Sequence, residues 1–317
     1  MDRVLVTGGA GFIGSNFVRY LLNETDCKVV NFDKLTYAGN LRNIKDLRSN
    51  KRHRFVIGDI KNGKLVESHV RKADAVVNFA AESHVDRSIQ TPRVFVETNV
   101  VGTQVLLEAC QTLNVRFQQI STDEVYGSRA EGSFTETDLL NPSSPYSASK
   151  AAADLLVNAY YVTYGLEVTV TRSTNNYGPR QHPEKLIPRL ITNALRGKTL
   201  PIFGSGKNVR DWIFVEDNCR AIHFVLEKGE KGQIYNIGGS NERENIEVAA
   251  QILRRLSLPE SLIEHVPDRL GHDFRYSLNC EKIHRLGWTP QVLFEEGLEK
   301  TIDWYRSNEQ WWRRLID

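Results

Sequence analysis

The chain has 317 residues, of which 40% are hydrophobic and 25% charged, and it carries a formal net charge of +2. That length supports one large or two modest domains with a sizeable buried core. The near-balanced charge argues against a nucleic-acid-binding protein, and the lack of a long apolar run or leader pattern after Met1-Asp2-Arg3 argues against a membrane protein or an exported one.

Residues 4–6, Val-Leu-Val, read as a buried strand. A glycine turn follows, then helical spacing over 12–22. Further strands are predicted at 29–32, 54–57, 75–79, 117–120 and 167–172, with helices at 94–112 and 145–164. This alternation predicts a parallel α/β sheet covered on both faces. Beyond about residue 173 the pattern loosens, and loops rich in Asn, Gly and Pro separate helices at 186–195, 215–226, 246–256 and 294–305. The expectation is a doubly wound parallel sheet of the Rossmann type over 1–173 and a smaller α/β substrate-binding lobe over 174–317, with some segments of the second returning to the first. Cys27, Cys110, Cys219 and Cys280 have no C-x-x-C spacing. They read as scattered thiols in a reducing compartment; no metal site is expected, and the location expected is cytoplasmic.

Gly8-Gly9-Ala10-Gly11-Phe12-Ile13-Gly14 joins the first strand to the first helix. Glycines at 8, 11 and 14 permit a tight turn, close backbone approach to a pyrophosphate and close helix–sheet packing, while the helix N-terminus favours an anion. Such a string alone also occurs as a plain turn. Here Asp33 ends the second strand, where a carboxylate meets the adenosine ribose hydroxyls and repels a 2′-phosphate, so NAD is expected over NADP. Lys34 follows the carboxylate without replacing it. Asp59-Ile60 and Ala80-Ala81 lie at further strand ends, where this architecture places ligands.

Tyr146 and Lys150 are four apart at the start of a predicted helix, hence on one face. A tyrosine that takes a proton near neutrality must drop by about three pH units, or roughly 4 kcal/mol, and a nearby cation favours that. With the glycine loop, these residues resemble the extended short-chain dehydrogenase/reductase family over essentially the whole chain. Asn99 in 97–103 and the Tyr126-Gly127 turn fit that family too.

Ser121-Thr122-Asp123-Glu124 follows the fifth strand. An Asp-Glu pair is usually a solvated turn, but neighbouring carboxylates also resist ionising together, so one stays protonated near neutrality. A dehydration needs that combination of acid and base. The segment, together with residues 33–40, 80–88, 183–188, 208–212 and 268–276, is similar to the dTDP-glucose 4,6-dehydratases of the family. The resemblance implies that Tyr146, with Thr122 and Lys150, oxidises the sugar at C4 with NAD. Glu124 then takes the C5 proton, Asp123 protonates the departing C6 hydroxyl, and the hydride returns to C6, leaving NAD regenerated and bound.

The resemblance also implies NAD contacts at Gly8, Gly11, Phe12, Ile13, Gly14, Asp33, Lys34, Thr36, Asp59, Ile60, Ala80, Ala81, Thr98, Tyr146, Lys150 and Asn176. Substrate contacts are implied at Ser83, Thr122, Asn175, Lys185, Leu186, Pro201, Phe203, Arg210, Asn245, Arg269 and His272, the two arginines being suited to pyrophosphate oxygens. A homodimer is implied, pairing helices 94–112 and 145–164. Arg180 and His182 depart from the pattern, which has aromatic residues there, and bear on sugar or base preference. A nucleotide-sugar 4-epimerase shares the loop, Tyr146 and Lys150 but has no use for Asp123 and Glu124. A non-catalytic NAD sensor needs none of the acid/base set.

Overall fold

The computed structural model describes residues 1–268 and 273–316. Its strands, in chain order, are β1 (Arg3–Thr7), β2 (Lys28–Asp33), β3 (His53–Ile57), β4 (Ala75–Asn78), β5 (Arg116–Thr122), β6 (Val168–Ser173), β7 (Asn175–Tyr177), β8 (Leu200–Phe203), β9 (Val209–Phe214), β10 (Gln233–Ile237), β11 (Glu242–Glu244) and β12 (Ile263–Val266). Seven of them form one sheet in the order β10-β6-β5-β4-β1-β2-β3, every pair parallel. The strand order reverses between β1 and β4, the place where doubly wound sheets open a crevice at their carboxyl ends.

Side-chain alternation along β1 shows why the sheet is covered twice. Val4 and Val6 face a core shared with Phe17 and Val18 of the helix Phe12–Glu24 and with Ile222 and Val225 of the helix Val215–Lys228. Leu5 faces the other side, against Val66 of the helix Gly63–Val70 and Leu106 of the helix Gly102–Leu113. A separate core in the second half gathers Tyr177, Leu190, Trp212, Ile252, Phe294 and Trp312. There β7, β9 and β11 form a three-stranded sheet, and β8 pairs with β12. All four cysteines are buried and unpaired. Among the described residues, no helix is long and apolar enough to cross a membrane.

The strands expected in the first half are present, each within a residue or two at its ends. The strands of the second half, β7 to β12, are not in the sequence reading, and two of the differences bear on the site. The helix expected over 94–112 is interrupted: after Pro92–Phe95 a π-helical turn, Val96–Val101, precedes Gly102–Leu113. The extra residue per turn rotates Asn99 into the interior. The strand β10 is also absent from the sequence reading, because Gln233 and Asn236 break its apolar run. Asn236 is buried but satisfied, accepting from the Tyr126 hydroxyl at 2.9 Å and donating to the Phe134 carbonyl at 3.0 Å.

Candidate active site

The cleft opens at the reversal point, between the ends of β1 and β4. Gly8 has φ +70°, and a Cβ there would lie 2.6 Å from the Ala80 nitrogen; at Gly14 it would lie 2.3 Å from the Gly8 carbonyl oxygen. The loop is therefore pressed between β4 and its own helix, as close phosphate approach requires. Gly11 caps the helix Phe12–Glu24 without a side-chain hydrogen bond, so the first N–H groups of that helix are uncapped by any side chain. Asp33 accepts from the Ala10 N–H at 2.9 Å and the Leu35 N–H at 2.7 Å, and burial raises its pKa above the ordinary value. Lys34 pairs with Asp59 at 2.8 Å, away from the Asp33 carboxylate. A ribose diol with a pyrophosphate beyond it fits this donor and acceptor set.

At the other end of the cleft, the helix Pro145–Tyr164 starts from a reciprocal Ser144/Ser147 capping box with Pro145 in its first turn. This fixes the first turn, which carries Tyr146, and puts Lys150 one turn on. Asn99 ties the helix to the end of β4, donating to Ser149 Oγ at 2.8 Å and to the Glu82 carbonyl at 3.1 Å, while the Glu82 N–H donates back at 2.8 Å. Lys150 Nζ donates to the Ile120 carbonyl at 2.5 Å, and burial lowers its pKa to about 8.

The Tyr146 phenol shows the opposite of the lowering expected from Lys150. Burial raises its pKa well above the ordinary value, and negative charge at Glu124, Asp123 and Tyr37 raises it further, against a hydrogen bond with Thr122. The two neighbouring acidic side chains oppose ionisation of the tyrosine, and Lys150 Nζ donates to a backbone carbonyl. Cationic charge on the ligand side must supply the remainder.

Thr122 ends β5 and caps the short turn Asp123–Tyr126: its Oγ1 accepts from the Glu124 N–H at 3.3 Å and donates to Asp123 Oδ1 at 3.1 Å. Asp123 is buried. Burial first, then the neighbouring Glu124, raises its pKa to about 8, so it is a neutral acid at pH 7. Its Oδ2 is buried without a hydrogen-bond partner among the described residues. Behind the pair lies a buried network. Ser121 donates to Asp154 at 2.9 Å, Arg172 donates to Asp154 at 2.9 Å and to Tyr126 Oη at 2.8 Å, and Tyr126 reaches Asn236. It locks β5, β6, β10 and the Tyr146 helix into one frame.

Every residue expected to meet the cofactor lines this cleft. Of the substrate set, Ser83, Thr122, Asn175 and Lys185 line it, and Lys185 Nζ donates to the Ser83 carbonyl at 3.1 Å. Leu186, Pro201, Phe203, Arg210 and Asn245 lie outside its lining, in the second lobe. Arg210 donates to the carbonyls of Val209, Phe274 and Asp273 at 2.8, 3.2 and 2.8 Å and packs over the Tyr276 ring. Asn175 Oδ1 and Asn245 Oδ1 are buried without hydrogen-bond partners among the described residues. Arg269 and His272 lie outside the described residues.

Arg180 and His182, singled out in the sequence as departures from the family pattern, both line the cleft. The sequence reading gave no role to Glu82 and Glu184, which line it as well. Glu184 lies 3.7 Å from His84 and 3.8 Å from Arg87, whose guanidinium stacks 3.7 Å over the Tyr37 ring; Tyr37 donates to the Ser83 carbonyl at 2.8 Å. Burial lowers the pKa of both His84 and His182 below the ordinary value. These residues sat within motifs quoted for their resemblance, and that was their only signal. Trp311 and Leu315, from the end of the chain, complete the lining and had none.

A doubly wound sheet, a glycine loop at its reversal point and a Tyr/Lys pair beside two carboxylates define a nucleotide-dependent sugar-modifying enzyme. The chain belongs to the GDP-mannose 4,6 dehydratase family, whose model matches residues 5–301. It is 52% identical over 320 residues to the dTDP-glucose 4,6-dehydratase of Streptomyces niveus, covering 99% of this chain and 95% of that one. It is 54% identical over 308 residues to the low-salt glycan biosynthesis protein Agl12 of Haloferax volcanii, covering 97% and 99%. Among solved structures, it is similar to DesIV, the dTDP-glucose 4,6-dehydratase of Streptomyces venezuelae, solved with NAD and dTDP bound. The TM-score is 0.97 and the identity 52%, over 99% of each chain.

Proposed function

We propose that the protein dehydrates dTDP-glucose to dTDP-4-keto-6-deoxyglucose, with NAD held at the glycine loop. The observation that carries this reading is the pairing of Glu124 with an Asp123 carboxyl kept neutral to about pH 8, beside Tyr146. Bound NAD would supply the hydride acceptor for C4 and, once water has left, the hydride donor for C6, so that no external reductant is consumed. Tyr146 takes the proton of the C4 hydroxyl, and Thr122 and Lys150 hold its position. The ketone so formed acidifies C5. Glu124 removes the C5 proton, Asp123 gives its own to the C6 hydroxyl, and water leaves. Glu124 then returns a proton to C5.

The cofactor set around Gly8–Gly14, Asp33, Asp59, Ala80 and Thr98 belongs to residues 1–173, joined by Asn176 from the second lobe, and the nucleotide-sugar set to residues 174–317 with Ser83 and Thr122. Asn175, Lys185 and Leu186 sit by the sugar in this reading; Pro201, Phe203, Arg210 and Asn245, with Arg269 and His272, take the nucleoside diphosphate. The unpartnered Asn175 and Asn245 oxygens support it. The location proposed is cytoplasmic.

Incubation with dTDP-glucose is expected to give a product lighter by one water, with the alkali-induced absorbance of a 4-keto sugar. A product of unchanged mass indicates epimerisation and sinks the reading. UDP- and CDP-glucose in the same assay establish base preference.

A homodimer is proposed as well. Its support is a row of exposed apolar side chains on the two helices expected to pair: Val94, Val96, Val101, Leu155, Val162 and Tyr164. Sedimentation at micromolar concentration is expected to show a dimer, and a pure monomer contradicts it.

A further inference from the structure

The last helix, Glu309–Ile316, reaches back to the glycine loop at the other end of the chain. Trp311 Nε1 donates to Asn43 Oδ1 at 2.9 Å, a buried bond between residues 268 positions apart. Asn43 is itself buried and passes the contact on: its Nδ2 donates to the Ala10 carbonyl at 2.8 Å, where the Asn40 N–H donates as well at 3.0 Å. The Ala10 N–H donates to Asp33 Oδ2, and the Gly11 N–H to the Gly8 carbonyl at 3.1 Å. Ala10 is thus held on its carbonyl side by Asn43 and on its N–H side by Asp33, so the two contacts share one residue of the loop. Arg42 donates to the Gln310 carbonyl at 3.2 Å, a second tie between the same two segments. Trp304 and Tyr305 pack edge-on against the Trp311 indole at 4.9 and 6.3 Å between ring centroids, which fixes its orientation. Trp311 and Leu315 form part of the cleft wall beside Asn40, Asn43 and Gly11.

We infer that Trp311 is a positioning residue for cofactor retention: through Asn43 it holds the Ala10 peptide and the Asp33 carboxylate in the geometry that grips NAD, and its helix straps that end of the cleft. The inference rests on the proposed reading of the cleft as an NAD site. Retention matters in that reading because the nucleotide oxidised early in a turnover must be the one that gives hydride back. Its loss in between would leave the keto intermediate stranded.

The neighbouring Trp312 provides an internal control. It is more deeply buried in the same core, but its Nε1 donates to the Tyr305 carbonyl at 2.8 Å, and it does not line the cleft. Trp311→Phe keeps most of the packing and leaves Asn43 Oδ1 unsatisfied. The expected result is about a tenfold faster NAD release, followed by chasing bound cofactor with excess labelled NAD, and a dependence of turnover on added NAD that the parent lacks. Trp312→Phe is expected to lower Tm while leaving NAD release as in the parent. Equal release rates in the parent and Trp311→Phe overturn the inference. If Trp311→Phe is not recovered folded, amide exchange over 309–316 in the unaltered protein decides instead. NAD is expected to slow it at least fivefold, and no change counts against the strap. A parent protein that binds no NAD at all refutes the reading of the cleft, and is told apart from failure of the strap by that binding measurement alone.

Discussion

Replacing Glu124 by glutamine is expected to lower kcat for dehydration by on the order of 10³-fold, with substrate binding little changed, because the amide keeps the shape of the side chain and loses its basicity. The diagnostic is partial chemistry. With dTDP-glucose the variant is expected to accumulate absorbance at 340 nm from reduced cofactor, since Tyr146 and Lys150 are untouched, and to incorporate no solvent deuterium at C5. The backbone should be undisturbed, because the Glu124 N–H donates to Thr122 Oγ1 and glutamine keeps that bond. Retention of more than a tenth of parental activity would falsify the assignment of Glu124 as base.

Asp123→Asn gives an effect of opposite sign in two measurements. The Asp123 pKa rises to about 8 in the folded protein, from an ordinary 3.8, chiefly through burial. An unfolded chain ionises this carboxyl above about pH 4, whereas the folded chain resists until about pH 8. The stability associated with the neutral group is therefore fully present below the unfolded value and is lost as pH rises through the folded one, a cost on the order of 5 kcal/mol at pH 8 and above. Asn cannot ionise and escapes that cost. Asp123→Asn is expected to raise Tm clearly at pH 8.5 and little at pH 4, while cutting dehydration by about 10² or more because no proton reaches the C6 hydroxyl. In the parent enzyme, kcat is expected to fall as pH rises through about 8, where this group loses its proton. Superimposable melting curves of parent and variant at both pH values would show that Asp123 is not held neutral.

The parts of this site that were legible in the sequence are those where one residue type is physically obligatory. At Gly8 and Gly14 any Cβ meets backbone within 2.6 and 2.3 Å, so the glycine pattern itself encodes the approach of strand and helix. Asp33 was legible because it ends a strand of clear β character, and Tyr146 and Lys150 because helical spacing puts them on one face. The π-helical turn at Val96–Val101 was not legible, since its residues form ordinary α-helix equally well and only the inward placement of Asn99 reveals the extra residue. Nor was β10, whose interior position is taken by an asparagine that makes sense only beside Tyr126 and Phe134. The Tyr146 shift depends on burial and on charges at Glu124, Asp123 and Tyr37, contributed by two stretches of chain remote from its own helix. Local spacing carries no information about such convergence, and the Trp311–Asn43 contact is its extreme case.

The late entry of β10 into the main sheet has a consequence for how the protein is made. A nascent chain that has emerged only through β6 has six of the seven strands and the whole Tyr146 helix, yet the outer edge of β6 is bare, and Asn236 is not there to accept from Tyr126. An unpaired edge of that kind invites pairing with another chain until residues 233–237 arrive to cover it. The reactive centre thus matures only once residues 233–237 have emerged, and a fragment cut before β10, even one that contains the glycine loop, both carboxylates and the Tyr/Lys pair, is expected to aggregate rather than to work.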